Sequence, residues 1–360
     1  MGRKIILFLG AGASASFGYP TTEDFLDGLR AELGQSNEGT FLSIIRKIGD
    51  IKDVEHVLEL LQAFQTLNIH PLREFFTTYP SQTVFPTDRG AVGFQISDQF
   101  KIMESLFNRI KDDVYRQYEK LPGKTADISR TYTSLIETIN DLSQSNRTVV
   151  FTTNYDCVIE EFCASQKIKC VDGFKHNQNL RRYEWEASEF SEAFRKFGRV
   201  NLIKDGSKHY HSLGEKSVIN LFKLHGSLDW RLTYDDKIIR ETSQSRVRNT
   251  RQFKENILIY PAEKVKPSIE PFSSLHEWFK RFYNQTDAIV FIGFALRDAY
   301  LNEIIMGNRN AKNKKLIFVS RHANRFAYLE KTFPGKTSLI NCDFGKEPDI
   351  SDRIATELKR

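Results

Sequence analysis

Four short clusters of glycine and polar residues carry the side chains best suited to chemistry in this 360-residue chain. They are Gly10-Ala11-Gly12-Ala13-Ser14, Thr152-Thr153-Asn154-Tyr155-Asp156, Lys223-Leu224-His225-Gly226-Ser227 and Phe291-Ile292-Gly293-Phe294-Ala295-Leu296-Arg297-Asp298. Each cluster follows or ends a short apolar run that is typical of a buried strand. The carboxyl ends of parallel strands line the ligand crevice of an open α/β sheet, so the four clusters could face one bound molecule.

The first cluster has the composition of a phosphate-binding turn. Its small residues would let a phosphate approach the backbone closely, at a point where a strand passes into a helix. The cluster lacks the full G-x-G-x-x-G spacing of dinucleotide-binding folds, however. A tight turn without a ligand therefore explains Gly10 and Gly12 equally well.

The other three clusters each allow a functional and a structural interpretation. Asn154 and Asp156 could contact a ligand, or they could cap the helix that begins near Tyr155. His225 could act as a base near neutral pH, because the following glycine turns the chain sharply, or it could be a structural histidine. Gly293 permits close approach to a ribose or phosphate, or it simply joins a strand to a helix.

The elements around the clusters alternate between strands and helices. The run at residues 5–9 predicts a buried parallel strand, and Thr21 with Asp24 offers a Thr-x-x-Asp helix start after it. Further strands are predicted at residues 148–151, 218–224, 257–260, 288–292, 316–319 and 338–340, and helices at residues 132–139, 155–162, 273–283, 299–305 and 323–333. This alternation predicts an α/β fold with a doubly wound, mostly parallel Rossmann-like sheet.

A helical segment interrupts the alternation between residues 36 and 127. Apolar residues recur there at helical spacing, whereas the proline- and glycine-containing residues 77–93 predict a loop between helices. We therefore predict one Rossmann-like domain from residues 1–35 and 128–360, which carries a helical insertion domain at residues 36–127.

The composition excludes several classes of protein. A hydrophobic content of 40% is too high for a disordered chain, and no apolar run approaches the roughly 18 residues of a membrane-spanning helix. A net charge of +6 argues against a protein dedicated to binding nucleic acid. The four cysteines form no C-x-x-C pair, which argues against a four-cysteine zinc site and fits a reducing, cytoplasmic environment. We therefore expect no bound metal.

The order and placement of the four clusters resemble the sirtuin fold, and more closely its bacterial sirtuin-like branch found in anti-phage defence. The resemblance spans residues 4–33 and 147–345. It implies that NAD is the substrate, that Asn154 positions the nicotinamide ribose and an attacking water, that Asp156 holds the nicotinamide carboxamide and that His225 acts as a base. The glycine cluster would contact the pyrophosphate. The full set implied to bind NAD is Gly10, Ala11, Gly12, Ser14, Asp24, Thr153, Gly293, Phe294 and Ser320.

Three departures from deacylating sirtuins favour water over an acyl-lysine acceptor. Leu26 stands where those enzymes have arginine, Thr153 replaces the usual glutamine, and the four-cysteine zinc module is missing. The resemblance thus implies an NAD⁺ hydrolase that releases nicotinamide and ADP-ribose and depletes NAD in defence. The alternatives are an NAD-dependent deacylase or ADP-ribosyltransferase, and a non-catalytic sensor of NAD or ADP-ribose.

Control by self-assembly or by a partner is expected, because an unrestrained NAD hydrolase would be toxic to its own cell. Sirtuin-like proteins of this length resemble those paired with a HerA-type hexameric ATPase, so we expect a homo-oligomer and a partner of that type. The helical insertion is the candidate assembly surface. The basic segment from Arg240 to Lys254 is either a solvated surface or a mobile loop that acts as a gate or makes a weak nucleic-acid contact.

Overall fold

The computed structural model describes residues 2–49, 51, 53–67, 82–87, 90–119, 125–180, 182–197, 217–235, 237–241, 253–258, 270–307, 314–322 and 326–360. These residues form two compact units. One unit contains the described residues of 1–19, 121–259 and 263–360, and the other contains those of 20–120. Within the described ranges, no helix is both long enough and apolar enough to span a membrane.

The strands and helices of the described residues are numbered in chain order. The strands are β1 (Ile5–Leu9), β2 (Gln82–Thr87), β3 (Gly90–Gln95), β4 (Arg147–Thr152), β5 (Lys169–Val171), β6 (Phe174–Asn177), β7 (Arg182–Trp185), β8 (Val218–Lys223), β9 (Gly226–Thr233), β10 (Ile238–Arg240), β11 (Phe253–Leu258), β12 (Ala288–Ile292), β13 (Lys315–Ser320) and β14 (Thr337–Asn341). The helices are α1 (Ala11–Ala15), α2 (Thr22–Leu33), α3 (Asn37–Gly49), α4 (Val54–Leu67), α5 (Ile96–Glu119), α6 (Thr125–Ser143), α7 (Val158–Gln166), α8 (Ser191–Phe197), α9 (Phe272–Gln285), α10 (Ala299–Gly307), α11 (Ala327–Thr332) and α12 (Ile350–Lys359).

A seven-stranded parallel sheet forms the centre of the first unit. Its strand order is β14-β13-β12-β1-β4-β8-β5, and every neighbouring pair is parallel. The chain runs from β1 through β4 to β8 on one side, and it later places β12 on the other side of β1. The strand order therefore reverses at β1. The predicted α/β fold with a doubly wound, mostly parallel sheet is confirmed.

Both faces of this sheet are buried, which explains why its strands read as continuous apolar runs. All residues of β1 and of β12 are buried. On one face, the rings of Phe8 and Phe151 lie 5.3 Å and 5.1 Å from the ring of Phe279 on α9. Phe282 on the same helix lies 5.4 Å from Phe222 of β8. Aromatic pairs of this kind add about 0.5–1.5 kcal/mol each beyond burial, so they hold α9 on the sheet.

The sequence did not predict a second, antiparallel sheet in this unit. Its strand order is β11-β9-β10-β7-β6. After β6, β7 and β8, the chain returns to this sheet at Gly226, whose φ of +89° turns the backbone directly after β8. Of the strand predicted at residues 257–260, residues 257–258 belong to β11, which begins earlier, at Phe253, and pairs antiparallel with β9; residues 259–260 lie outside the described residues. Strands as short and polar as β6 and β7 carry no periodic pattern to mark them.

The second unit is mostly helical and contains a two-stranded sheet. The loop predicted at residues 77–93 is wrong where β2 and β3 pair, with Pro86 opposite Ala91. Both are edge strands, where a proline without an N–H group is tolerated. Residues 77–81 and 88–89 lie outside the described residues.

The predicted division into residues 1–35 with 128–360 and residues 36–127 stays a prediction. The two compact units are groups of contacts within one chain, and such groups do not by themselves define parts that fold independently. Helix α2 groups with the second unit.

The basic segment from Arg240 to Lys254 is described only at its two ends. Arg240 is the last residue of β10, and its guanidinium pairs with Asp172 and lies 4.4 Å from the centre of the Tyr183 ring. Residues 242–252 lie outside the described part of the chain. Arg240 therefore has a structural role in the second sheet, and the gate prediction for the remaining segment stays a prediction.

Candidate active site

The four clusters follow strands that end at the same level of the central sheet. Leu9 pairs with Ile292 of β12 on one side and with Thr152 of β4 on the other, and Thr152 pairs with Lys223 of β8. The Leu224 N–H then donates to the Thr152 carbonyl at 2.8 Å, beyond the end of both strands. The clusters are thus brought together at the carboxyl edge, where the strand order reverses and where open α/β sheets bind ligands.

The glycines of the first and fourth clusters contact each other through their backbones. A Cβ atom on Gly12 would lie 2.7 Å from the Gly293 Cα, and one on Gly10 would lie 2.6 Å from the Phe294 Cα. Gly293 has a φ of +63°, and a Cβ there would lie 2.2 Å from the Ala13 nitrogen. Only glycine fits at these positions, whether or not a ligand binds.

Hydrogen bonds reinforce this contact between the glycine turns. The Gly10 N–H donates to the Ile292 carbonyl at 2.9 Å, and the Gly12 N–H donates to the Gly293 carbonyl at 3.0 Å. The Ala13 N–H also donates to the Gly10 carbonyl, at 2.9 Å, so at least three N–H groups of the first cluster are already paired. Ala11 is partly exposed and Ser14 is buried.

Asn154 joins the second cluster to the first. Its Nδ2 donates to the Gly10 carbonyl at 3.0 Å and to the Ser14 hydroxyl at 3.1 Å. Its backbone N–H donates to the Thr152 hydroxyl at 3.0 Å. The Oδ1 atom is buried and has no hydrogen-bond partner among the described residues. Because buried polar atoms are normally paired, this oxygen is a candidate ligand contact.

Asp156 is buried beside the same hydroxyl and at the start of α7. Its Oδ1 accepts the Val158 N–H at 3.1 Å, which explains why the helix begins three residues later than predicted. Burial raises the pKa of the Asp156 carboxyl above its ordinary value, while the Lys223 ammonium and the Ser14 hydroxyl oppose this shift. Asp156 thus lies one residue before the N-cap of α7, Cys157, and pairs with the first N–H of the helix, and its contact with a carboxamide stays a prediction.

His225 lies in the turn between β8 and β9 and is 2% exposed. Its Nε2 lies 2.9 Å from Oδ2 of Asp298, which is also buried. Its Nδ1 is buried and has no hydrogen-bond partner in the described part of the chain. Asn154 and His225 therefore each hold one polar atom at this edge that no other described residue pairs.

Lys223, the first residue of the third cluster, is a buried lysine to which the sequence analysis gave no role. Lys223 is 2% exposed, and its Nζ donates to the Asp156 carbonyl at 2.5 Å, to Ser227 Oγ at 2.7 Å and to Glu160 Oε1 at 2.8 Å. Burial alone would lower the pKa of Lys223, but the surrounding acidic groups, Glu160 foremost, raise it above its ordinary value. Burial raises the pKa of Glu160 to about 7. The Lys223 ammonium therefore links the two clusters by hydrogen bonds, to Asp156 of the second cluster and to Ser227 of the third.

Three other residues implied to bind NAD make contacts within the protein itself. Phe294 is buried, with its ring 4.5 Å from that of Phe8. Ser320 ends β13, and its hydroxyl accepts the His322 N–H at 3.1 Å. The Thr153 N–H donates to the Leu9 carbonyl at 3.1 Å. Their contacts with NAD stay predictions.

Asp24 belongs to the second unit, where it forms the predicted helix start of α2. The Thr21 hydroxyl accepts the Asp24 N–H at 3.2 Å, and the Asp24 carboxylate accepts the Thr21 N–H at 3.2 Å. This capping box accounts for an acidic residue at that position. The role of Asp24 toward NAD stays a prediction.

One group of the described residues could hold a metal ion. His225, His276 of α9 and Asp298 each offer a ligand atom, and these atoms lie within 4.8 Å of one another. Two imidazoles and a carboxylate suit several divalent transition metals. The prediction of a metal-free site stays untested. Sequence reasoning missed His276 and gave Asp298 no role, because the three come together only through the fold.

The fold and this edge define an α/β protein with a Rossmann-like sheet and a polar crevice at the reversal of strand order. The family model for the SIR2-like domain matches residues 148–334, which is just over half of the chain. The chain belongs to this family. The match contains three of the four clusters, and the resemblance to sirtuins is confirmed at this level.

Comparison with solved structures gives distant similarities. The chain is similar to a Sir2 homologue in complex with NAD, with a TM-score of 0.44 and 12% identity, over 100% of this chain and 91% of that one. It is also similar to Sir2 in complex with EX-527, 2′-O-acetyl-ADP-ribose and a deacetylated p53 peptide, with a TM-score of 0.44 and 11% identity, over 99% and 95% of the two chains. No curated protein matches the chain.

Proposed function

We propose that this protein is an NAD⁺ hydrolase that releases nicotinamide and ADP-ribose. The observation that carries the proposal is that two buried polar atoms at the carboxyl edge of a SIR2-like domain, Asn154 Oδ1 and His225 Nδ1, have no hydrogen-bond partner among the described residues. Leaving such atoms unpaired costs about 1–3 kcal/mol each. A bound ligand that pairs with them recovers that free energy.

The reaction breaks the bond between the nicotinamide nitrogen and ribose C1′, and water supplies the new C1′ oxygen and releases one proton. The leaving group is neutral nicotinamide, so no strong acid is needed, and the transition state has oxocarbenium character. An amide oxygen can accept a hydrogen bond from a ribose hydroxyl or from the water. An imidazole lone pair can accept the proton. Asn154 and His225 offer one group of each kind.

The proposal extends to the pyrophosphate of NAD⁺. Because the N–H groups of Gly10, Gly12 and Ala13 are already paired, we propose that the Ala11 N–H provides the contact from the first cluster, while the two glycines let the turn form and Ser14 holds Asn154. Gly293 and Phe294 would offer backbone rather than side-chain contacts to the adenosine, since the Phe294 ring lies in the core.

Hydrolysis in H₂¹⁸O tests the reaction class. We expect purified protein to convert NAD⁺ to nicotinamide and ADP-ribose in equal amounts, with one ¹⁸O atom in the ADP-ribose. Release of nicotinamide only after an acyl-lysine peptide or an acceptor protein is added would instead indicate a deacylase or an ADP-ribosyltransferase. Binding of NAD⁺ without release of nicotinamide would indicate a sensor.

We also propose that NAD depletion serves anti-phage defence and is controlled by self-association or by a HerA-type ATPase partner. The support for this part of the proposal is the sequence resemblance to the bacterial sirtuin-like branch. The oligomer, the partner and the helical insertion as an assembly surface stay predictions.

A further inference from the structure

We propose that Asp298 is a positioning residue that sets the tautomer of His225 and so directs its lone pair through Nδ1. This inference rests on the proposed function for its catalytic consequence, whereas the tautomer itself is a property of the protein without NAD. Asp298 lies at the end of the fourth cluster, five residues after Gly293.

Two elements hold the Asp298 carboxylate in place. Its Oδ1 accepts the Leu301 N–H at 2.8 Å in the first turn of α10. Its Oδ2 lies 2.9 Å from His225 Nε2. Asp298 is 4% exposed and His225 is 2% exposed, so water does not compete for this contact. One oxygen thus anchors the residue to a helix, and the other fixes the imidazole.

The chemistry of the pair defines the tautomer. An ionised carboxylate only accepts hydrogen bonds, so His225 Nε2 must be the donor. In the neutral imidazole, the lone pair is then on Nδ1. Of the two ring nitrogens, Nδ1 is the one that has no hydrogen-bond partner among the described residues. A hydrogen bond to one ring nitrogen therefore determines which nitrogen can act as a base.

The other residues near His225 are consistent with this arrangement. His276 lies with its ring 6.4 Å away and nearly parallel, at 13°, and its Nδ1 lies 2.9 Å from the Phe272 carbonyl of its own helix. The Tyr155 ring also lies 6.4 Å from His225. The direct contact with Asp298 occupies His225 Nε2, which leaves Nδ1 as the nitrogen available to a ligand.

The substitution Asp298→Asn separates the two functions of the carboxylate. Asparagine can keep its oxygen on the Leu301 N–H, but its Nδ2 then faces His225 Nε2 as a donor. The imidazole must then accept at Nε2 and carry its proton on Nδ1, so the base is lost without loss of the helix contact. We expect kcat to fall by about 100-fold or more with KM little changed.

The test combines tautomer measurement with kinetics. Two-bond ¹⁵N–¹H spectra of histidine-labelled protein report which ring nitrogen carries the proton, and His225→Gln identifies the His225 signal among the eight histidines. We expect a proton on Nε2 in the wild-type protein and on Nδ1 in D298N. Asp172→Asn is the matched control, because Asp172 is also buried and also accepts a backbone N–H, from Phe174 at 3.1 Å. Its loss of the Arg240 ion pair should lower stability but leave the His225 tautomer and kcat unchanged.

Three results would overturn the proposal. The first is a wild-type His225 with its proton on Nδ1. The second is a D298N protein with unchanged tautomer and unchanged kcat. The third is activity that dialysis against EDTA removes and Zn²⁺ restores, which would make His225 and Asp298 metal ligands. If the wild-type protein releases no nicotinamide, the proposed function fails, but the spectra still decide the role of Asp298.

Discussion

The glycine turns after β1 and β12 differ from the polar turns after β4 and β8. Contacts within the protein account for the residue types of the glycine turns, but not for those of the polar turns. The turns after β1 and β12 contact each other backbone to backbone, and their glycines are required by that contact. The turns after β4 and β8 instead hold buried polar atoms that nothing in the described residues pairs. The functional inference therefore rests on the polar turns, although the glycine motif is the more familiar signal in the sequence.

The largest expected effect comes from breaking the contact between the glycine turns. Gly293→Ala places a Cβ 2.2 Å from the Ala13 nitrogen at a φ of +63°, so either the backbone shifts or the turns separate. We expect the free energy of unfolding, measured in urea, to fall by more than about 3 kcal/mol.

Gly28→Ala is the matched control for that substitution. A Cβ on Gly28, within α2, meets nothing within 4 Å. Alanine there should leave stability unchanged or raise it by up to about 1 kcal/mol, because alanine favours a helix more than glycine does. A G293A protein as stable as G28A would show that the two turns are not in contact.

A smaller effect is expected where the two kinds of turn meet. The Ser14 hydroxyl accepts a hydrogen bond from Asn154 Nδ2 and donates to Asp156. Ser14→Ala removes both bonds, which should cost about 1–2 kcal/mol of stability and lower kcat/KM for NAD⁺ about tenfold, because the Asn154 side chain keeps only its bond to the Gly10 carbonyl. Ser129→Ala on α6 is the control. If both variants retain full activity, the position of Asn154 does not depend on Ser14.

Much of the fold could be predicted from the sequence, for a definite physical reason. The central strands are buried on both faces, so their sequences are continuous apolar runs. The start of helix α2 is indicated by Thr21 and Asp24, which form its capping box. The second sheet could not be predicted in the same way, because β6 and β7 are short and polar. The antiparallel pair of β2 and β3 was not predicted either, because Pro86 within β2 favoured a loop at residues 77–93.

The candidate site shows a similar division. The sequence contains Asn154 and His225 in turns that follow strands, and this placement can be read from the pattern. The pairing of His225 with Asp298 cannot, because 73 residues separate them and they follow β8 and β12, which the sheet order β12-β1-β4-β8 brings to the same edge. Lys223 looks like a polar residue at a strand end, and its burial depends on Glu160, Ser227 and the Asp156 carbonyl.

The central claim is that the unpaired atoms of Asn154 and His225 act on NAD⁺. The most direct test is nicotinamide release by the wild-type protein, Asn154→Ala and His225→Ala, with circular dichroism and urea unfolding to show that the variants remain folded. We expect the wild-type protein to release nicotinamide and each variant to lose at least about 100-fold of that rate. Variants that release nicotinamide as fast as the wild-type protein would contradict the account.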